Sequence, residues 1–362
     1  MPSDSPTPLT SSPKEAGSPA FDTVTADRPL RAVVVGAGFI GGEWAPELLA
    51  HPDTELVGWV DVAEDLARAA AAKLGLDDLP VSSSLTAVLD GQEPDFIVNC
   101  TVPRAHHDVT VTALRRGVSV LSEKPMSVTL AEARSMVGAA DEARRLFAVN
   151  QNRRFKPTLV AFRRTVAELG PLGLLTSEFY MPYRGRPFLD ELEHPLLQDM
   201  AIHLFDAARA VSGSDPVSVY CESFRPAWTW YPGACSATAI FEMTGGLRYT
   251  FTGSWSAPGG ATSWTGSWRA AGSHGTARWD GDGDPTAEAV EGHVVRPHAP
   301  EADPFPGRRR FAGLAEGLDE FVAGLRTGRA PQGECHDNIR SLAMVTAALE
   351  SARTGNRVPI MA

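Results

Sequence analysis

Short apolar runs alternate with amphipathic stretches from residue 31 to about residue 150. The runs are short and often β-branched, which is typical of buried strands, and the stretches between them have helical spacing. The predicted strands are residues 31–36, 55–61, 95–99, 118–122 and 147–150, and the predicted helices are 39–50, 64–74, 84–90, 105–116 and 129–144. Strands separated by helices predict an α/β domain with a doubly wound parallel sheet.

The pattern changes after about residue 155, where longer alternating stretches predict antiparallel strands. These strands are residues 173–182, 217–225, 235–244, 247–256, 263–271 and 275–279, and the predicted helices are 156–169, 199–212, 311–326 and 334–354. Gly245 and Gly246 lie between two strands and are typical of a hairpin turn. A loop is predicted over 280–307. We therefore expect a second, α+β domain with a mostly antiparallel open sheet and helices on one face.

The length of 362 residues exceeds one typical core and favours two domains. Residues 1–28 are rich in Pro, Ser and Thr and have no apolar segment of the kind found in signal peptides, so they are predicted to form a disordered tail. We place the first domain at 29–152 and the second at 153–362, with the C-terminal helices able to pack back on the first domain.

Composition excludes several partners. The net charge of −11 provides no basic surface for a nucleic acid, and no apolar stretch approaches the ~20 residues of a membrane-spanning helix. The four cysteines are far apart, without a CxxC pair, so free thiols in a reducing cytoplasm are expected and a zinc site is not.

The stretch from Arg31 to Asp61 predicts a dinucleotide-binding loop. Gly36 can make the tight turn after the first strand, Gly38 leaves room for a pyrophosphate, and Gly41 permits close helix packing, with Phe39 and Ile40 between them. The helix N-terminus offers N–H groups to phosphates. The alternative is a glycine-rich turn without a ligand. Asp61, at the end of the second strand, suits a ribose diol and repels a 2′-phosphate. No Arg or Lys follows directly, so NAD is favoured over NADP.

Ligands bind at the carboxyl ends of such strands, which here are followed by residues 36–41, 61, 99–106 and 122–125. Glu123, Lys124 and Pro125 follow the predicted strand 118–122. The lysine ammonium there can stabilise an alkoxide as hydride leaves. A surface lysine at a strand end is the alternative.

Asp199 and His203 are four residues apart on a predicted helix, so they project from one face, together with Asp206. An imidazole oriented by a carboxylate is a suitable general base. The same pair could bind a metal, but no third ligand is evident. The alternative is a helix-capping acid beside a histidine satisfied in the core.

Together these motifs resemble the glucose–fructose oxidoreductase, inositol dehydrogenase and rhizopine-catabolism family (Gfo/Idh/MocA). The resemblance rests on the glycine loop, the segment ending in SEKP, the segment NQNRRFKP, the D-x-x-x-H pair and the closing SARTGNRVP, and runs from about Leu30 to the C-terminus. It implies a Rossmann domain followed by an α+β domain whose open sheet makes an oligomer contact, and hence a homodimer or homotetramer.

The resemblance also implies site residues. Lys124 and His203 match the catalytic lysine and histidine, with Asp199 as the substrate-contacting acid, and Arg154 matches an arginine near the cleft. On the cofactor side it implies Thr101, Pro103, His106 and Glu123. Tyr183 and Gln198 are further candidates for binding substrate. The chain departs from the family at 194–198. His194 and Gln198 either add polar side chains to the substrate pocket or belong to a loop whose shape is set by Pro195.

The favoured function is an NAD-dependent dehydrogenase that moves hydride from a secondary hydroxyl of a sugar, sugar derivative or cyclitol, without a metal. One alternative is a redox-neutral reaction with tightly bound NAD, such as epimerisation, elimination or glycoside cleavage. Another is a non-catalytic NAD-binding sensor. Aromatic residues of the second domain could stack on a sugar, although packing in the sheet core or a subunit interface is the competing explanation. They are Trp228, Trp230, Tyr231, Trp255, Trp264 and Trp268.

Overall fold

The computed structural model describes residues 21–184, 187–301 and 313–362. Its first sheet is parallel, with strand order β3-β2-β1-β4-β5-β6. The strands are β1 (Leu30–Val35), β2 (Thr54–Val60), β3 (Val81–Ser82), β4 (Phe96–Asn99), β5 (Ser119–Glu123) and β6 (Phe147–Asn150). The short edge strand β3 was not predicted, because two residues carry no readable periodicity.

Helices cover both faces of this sheet. They are α1 (Phe39–Ala50), α2 (Glu64–Lys73), α3 (Leu85–Gln92), α4 (Pro103–Arg115) and α5 (Leu130–Ala143). Val34 of β1 packs into the core on one face, and Val33 and Val35 pack into the core on the other. An uninterrupted β-branched run is therefore required here, because a central parallel strand is buried on both sides. The predicted doubly wound domain is confirmed.

The second sheet has eight strands in the order β13-β12-β11-β7-β10-β9-β8-β14. They are β7 (Leu172–Tyr180), β8 (Pro216–Phe224), β9 (Ser236–Met243), β10 (Arg248–Ser254), β11 (Ser267–Gly272), β12 (Gly275–Trp279), β13 (Thr286–Ala289) and β14 (Val358–Pro359). Neighbouring strands are antiparallel except β7 and β10. The β9–β10 hairpin turns at Gly245 and Gly246, whose φ angles of 71° and 79° favour glycine. The mostly antiparallel second sheet is confirmed, although β13 lies in the predicted loop 280–307.

Helices α6 (Pro157–Ala167), α7 (Ala201–Ser212), α8 (Leu314–Thr327) and α9 (Cys335–Thr354) complete the fold. Helix α8 adds Leu314, Leu318 and Phe321 to a core of the first domain, where the rings of Phe321 and Phe96 are 5.4 Å apart. Helix α9 contributes Ile339 to the first domain and other side chains to the second. Helix α8 therefore completes the first domain, and α9 joins both domains. Residues 311 and 312 of the predicted helix 311–326 lie outside the described residues.

The segment predicted as a disordered tail needs a correction at its end. Residues 1–20 lie outside the described residues, but residues 21–28 pack on the first domain. Phe21 is 4% exposed, and the carboxylate of Asp22 pairs with Arg144 at 3.0 Å and Arg145 at 2.9 Å. One aromatic anchor within a polar segment is too sparse a pattern for sequence periodicity to detect.

One face of the second sheet is left uncovered by the described helices. Leu174 and Ile240, on β7 and β9, point outward, and Leu174 is 54% exposed. All four cysteines are buried free thiols. Within the described ranges, no helix has the length and apolar character required to cross a membrane.

Candidate active site

The glycine loop between β1 and α1 has the geometry that a dinucleotide requires. Gly36 has φ of 105°, and a side chain on it would press against the Cys100 carbonyl. A Cβ on Gly41 would overlap the carbonyl oxygen of Gly36, so this glycine allows α1 to approach β1. Gly38 is the N-cap of α1, has no side chain to cap it, and faces open space. The loop thus leaves room at a helix N-terminus, where a pyrophosphate fits.

Asp61 lies beside this loop at the end of β2. Its Oδ2 accepts a hydrogen bond from the backbone N–H of Ala37 at 2.6 Å, and its Oδ1 accepts from Ala63 N–H at 2.8 Å. Each carboxylate oxygen keeps further acceptor capacity. The acid is thus fixed beside the position where the glycine loop would hold a dinucleotide.

Three predicted cofactor residues follow β4, in the loop and the first turns of α4, and their surroundings differ. Thr101 lines the cleft and donates its hydroxyl to Asn99 Oδ1 at 2.7 Å, while Pro103 begins α4. His106 is 1% exposed, and its ring nitrogens face the carbonyls of Pro125 at 2.7 Å and Thr101 at 3.0 Å. Burial lowers the pKa of His106. The expectation that His106 contacts the cofactor is therefore corrected: its ring braces two loops behind the cleft.

Glu123 and Lys124 both line the cleft at the end of β5. The indole of Trp44, on α1, donates to Glu123 Oε1 at 2.9 Å. The bond between Lys124 and Pro125 is cis. This arrangement ties the carboxylate to the helix that follows the glycine loop and leaves the Lys124 amine directed towards the second domain.

Lys124 and Asp199 meet across the two domains. The Nζ atom lies 3.5 Å from the Asp199 carboxylate and 3.4 Å from its backbone carbonyl oxygen. Asp199 belongs to a π-helical turn (Leu196–Met200) that precedes α7, and not to the regular helix 199–212 that was expected. Single π turns occur often at functional sites because they alter the direction of a side chain.

His203, on α7, is a buried neutral base in this cleft. It is 9% exposed, and its Nδ1 has no hydrogen-bond partner among the described residues. Burial, together with the positive charges of Arg153 and Lys124, holds the pKa of His203 well below its usual value. The imidazole is consequently uncharged at neutral pH and able to accept a proton.

The cleft between the domains is a cavity of about 400 Å³. It brings together eight of the predicted site residues: Phe39, Ile40, Thr101, Glu123, Lys124, Tyr183, Asp199 and His203. Trp255 and Trp264 of the predicted aromatic group also line it, as do four residues that were not predicted: Asn152, Arg153, Met200 and Leu314. The cleft therefore joins the glycine-loop side of the first domain to the base and the aromatic residues of the second.

Arg154 is the clearest correction to the predicted site. Its guanidinium makes two hydrogen bonds of 2.7 Å to Asp206 and an ion pair of 2.8 Å with Asp337, and it is buried. Burial opposes its charge, but the two carboxylates more than offset this and raise the pKa of Arg154. It does not line the cleft. Its role is to join the 3₁₀ turn Asn152–Phe155 to α7 and α9.

The preceding residue, Arg153, lines the cleft instead. Its Nη1 is buried without a hydrogen-bond partner among the described residues, and its Nη2 contacts the sulfur of Met200 at 3.3 Å. Burial lowers the pKa of Arg153 to about 9. The pair of arginines was visible in the sequence, but which of them faces the cleft depends on Asp206 and Asp337.

Gln198 and His194 lie apart from the cleft lining. Gln198 is exposed and accepts the backbone N–H of His194 at 2.9 Å, and the His194 ring contacts Ser223 Oγ at 2.9 Å. Of the two readings of this segment, the structure supports the one in which it shapes a loop. Gln198 is accordingly corrected from a substrate ligand to an exposed residue of the π-helical turn.

Some of the aromatic residues line the cleft, and others lie elsewhere in the second domain. Tyr183, Trp255 and Trp264 line the cleft, whereas Trp268 packs in the core of the second domain. The guanidinium carbon of Arg184 lies over the ring of Trp230, 4.2 Å from the ring centroid. The packing explanation therefore holds for Trp268, while stacking of a sugar on Trp255 or Trp264 stays a prediction.

Glu334, Cys335 and His336 form a polar cluster at the start of α9, with ligand atoms within 4.8 Å of one another. The carboxylate of Glu334 accepts the backbone N–H of His336 at 3.1 Å and lies 2.8 Å from its ring. These contacts cap the helix, and the cluster does not line the cleft. The expectation that the protein works without a metal stays a prediction.

Comparison with known proteins agrees with this geometry. Residues 30–151 match the GFO_IDH_MocA oxidoreductase family with an NAD-binding Rossmann fold, and residues 166–278 match the GFO/IDH/MocA C-terminal domain. The chain is 25% identical over 349 residues to D-apiose dehydrogenase of Paraburkholderia graminis, covering 93% of this chain and 92% of the relative. It is 26% identical over 341 residues to inositol 2-dehydrogenase of Rhizobium meliloti, covering 91% and 99%.

A solved structure with the same fold is an oxidoreductase from Agrobacterium radiobacter in complex with NAD+, L-tartaric acid and magnesium. It superposes with a TM-score of 0.82 at 19% identity, covering 91% of this chain and 98% of the other. The two domain matches follow one another along the chain, in the order of the two sheets. The chain belongs to the Gfo/Idh/MocA family of oxidoreductases, with an NAD-binding Rossmann domain.

Proposed function

We propose that the protein is an NAD-dependent dehydrogenase that oxidises a secondary hydroxyl of a sugar, sugar derivative or cyclitol. The observation that carries this proposal is the meeting of Lys124, Asp199 and His203 in one cleft beside the glycine loop. Relatives named D-apiose dehydrogenase and inositol 2-dehydrogenase support the choice of a polyhydroxylated substrate.

Three side chains have separate roles in removing the hydroxyl proton and stabilising the alkoxide. Bound NAD would supply the hydride acceptor, held by the glycine loop and Asp61. His203 is neutral and takes the proton of the reacting hydroxyl, directly or as a relay. Lys124 hydrogen-bonds the same oxygen and stabilises the developing alkoxide, or takes the proton itself. Asp199 orients the lysine ammonium through their 3.5 Å contact and can hold a neighbouring hydroxyl.

Arg153 takes the substrate-positioning role that the sequence suggested for Arg154. It lines the cleft without an ion-pair partner among the described residues, and its Nη1, which has no hydrogen-bond partner there, is the donor that we assign to hydroxyl or carboxylate oxygens of the substrate. Tyr183 borders the same cleft, on the side of the second domain.

The function is tested by screening sugars and cyclitols for NADH accumulation, with NADP as the parallel cofactor. Turnover with NADH release supports the dehydrogenase. Substrate conversion without NADH in solution would instead show redox-neutral chemistry with retained NAD, and absence of conversion across the panel would contradict the proposal.

The pH dependence should follow the buried base. The charged groups around His203 are Lys124, Arg153 and Asp199, and the two cations join burial in disfavouring the imidazolium. Because the neutral form accepts the proton and the pKa of His203 is lowered, we expect kcat/KM to stay level as pH falls through 6.5 and to decline only well below it.

In Arg153→Met one of these cations is lost. The decline of kcat/KM at low pH, which is the acidic limb of the pH profile, should therefore move to higher pH. In His203→Asn the limb should disappear along with most of the activity. A limb centred at or above the usual histidine pKa in the unmodified enzyme would count against a buried neutral base.

Cofactor choice should depend on the charge of Asp61. Asp61→Asn keeps an acceptor for the Ala37 N–H but removes the charge that opposes a 2′-phosphate. We expect the ratio of kcat/KM for NADP over NAD to rise at least about tenfold, since like charges a few ångströms apart interact by more than 1.4 kcal/mol at a protein surface. Glu142→Gln, which changes an exposed carboxylate in the last turn of α5, is the control and should leave the ratio unchanged. A wild-type preference for NADP would contradict the proposal.

We further propose a homodimer or homotetramer that pairs through the uncovered face of the second sheet. Its support is the outward apolar side chains of Leu174 and Ile240 on neighbouring parts of that face. Such a contact would bury them while leaving the cleft open, because the cleft lies on the opposite, helix-covered side with α7.

A further inference from the structure

Trp264 is a large apolar side chain left half exposed beside the candidate active site. It is 50% exposed and lines the same cleft as Lys124 and His203. Most side chains of this size are buried on folding, and an exposed aromatic ring within a cleft marks a surface that meets a ligand. The proton chemistry proposed above makes no use of this residue.

The Trp264 ring is held in place by other aromatic rings. Its centroid lies 5.6 Å from Tyr183, with an interplanar angle of 79°, and 5.9 Å from Trp255, with an angle of 62°. Trp255 is itself 1% exposed and packs edge-to-face on Phe179 at 5.1 Å. These near-perpendicular contacts fix the indole on a buried support and leave part of its surface open. A preorganised ring loses little conformational freedom when a ligand stacks on it.

The exposures of the lining residues show where Trp264 lies in the cleft. His203 and Asp199 are nearly buried and form the floor, with Lys124 a little more exposed. Trp264 belongs to the rim. A hydroxyl that reacts at Lys124 and His203 must lie at the floor, so a substrate that also covers Trp264 extends beyond the ring that is oxidised.

We propose that Trp264 is a stacking platform for a second sugar ring, so that the substrate is a glycoside and not a free monosaccharide. The C–H face of a pyranose is apolar and matches an indole in size, and covering the ring removes its exposed apolar surface from water. This inference rests on the proposed dehydrogenase function and adds to it a subsite and a substrate class.

The test compares matched pairs of sugars on the NAD-loaded enzyme: D-glucose with cellobiose and with maltose, and D-galactose with lactose and with melibiose. We expect kcat/KM for the disaccharide to exceed that for its monosaccharide by about tenfold or more in at least one pair, which is the effect of roughly one stacked ring. Trp264→Ala should remove that advantage, chiefly by raising KM for the disaccharide.

Trp228→Ala is the matched control. Trp228 is 66% exposed in the same domain but does not line the cleft, so the advantage of the disaccharide should persist in this variant. Monosaccharides that equal or exceed their disaccharides in every pair would overturn the platform while leaving the dehydrogenase intact. So would a Trp264→Ala variant that weakens both members of a pair equally. Absence of NADH from both members of every pair would overturn the platform, and absence of NADH from the whole panel of sugars and cyclitols as well would overturn the dehydrogenase with it.

Discussion

Lys124→Met should lower kcat by about 10²-fold or more while leaving NAD affinity unchanged. The amine is the positive charge nearest to Asp199, and in the proposed reaction it stabilises the alkoxide from which hydride departs. Methionine keeps the length and apolar stem of lysine but can neither donate a hydrogen bond nor carry charge. Steady-state turnover and titration of NAD binding by fluorescence separate the two effects.

Lys73→Met provides the control for this experiment. Lys73 is an exposed lysine in the last turn of α2, outside the cleft lining, so its replacement should alter neither quantity. Full turnover in Lys124→Met would remove the lysine from the mechanism. A parallel loss of NAD binding would instead assign it to the cofactor.

Replacing Arg153 and Arg154 by methionine, one at a time, should affect the free energy of unfolding in opposite ways. Arg154→Met leaves the buried Asp206 carboxylate without its ion-pair partner and Asp337 with Arg209 alone, and breaking a buried ion pair by removing one member costs about 3–5 kcal/mol. Arg153→Met removes a buried charge that has no ion-pair partner among the described residues, so the free energy of unfolding should stay level or rise.

Denaturant unfolding and kinetics on the two variants make a matched comparison, because the substitutions are identical and one residue apart. We expect Arg153→Met to raise KM in a folded protein and Arg154→Met to lower the unfolding midpoint. Equal destabilisation by the two substitutions would contradict the assignment of Arg154 to the core and Arg153 to the cleft.

The glycine loop and the alternating strands could be predicted because their causes are local. Gly36 and Gly41 are required by the turn and by the helix that directly follow them, and a buried parallel strand needs a continuous run such as Val33 to Val35. The order of these signals along the chain was therefore enough to predict five of the six strands of the first sheet.

Residues whose orientation depends on distant partners could not be assigned from the sequence. Arg153 and Arg154 differ in role because Asp206 and Asp337 reach only one of them. The two ring nitrogens of His106 contact the carbonyls of Pro125 and Thr101, and no local sequence pattern predicts these contacts. The spacing of Asp199 and His203 was visible, but the expectation that the carboxylate orients the imidazole was wrong, because a π turn directs Asp199 towards Lys124 and leaves His203 Nδ1 without a partner among the described residues.

The contribution of α8 to the first domain has a consequence for how the protein is made. Leu314, Leu318 and Phe321 complete a core whose strands are synthesised first and whose final helix emerges some 170 residues after β6. During translation the first domain cannot complete its core until the second domain has left the ribosome. Until then, the face of its sheet that carries Phe96 stays exposed. Ending the chain before α8 should therefore leave an incomplete cofactor domain, and folding of both domains depends on the last fifty residues.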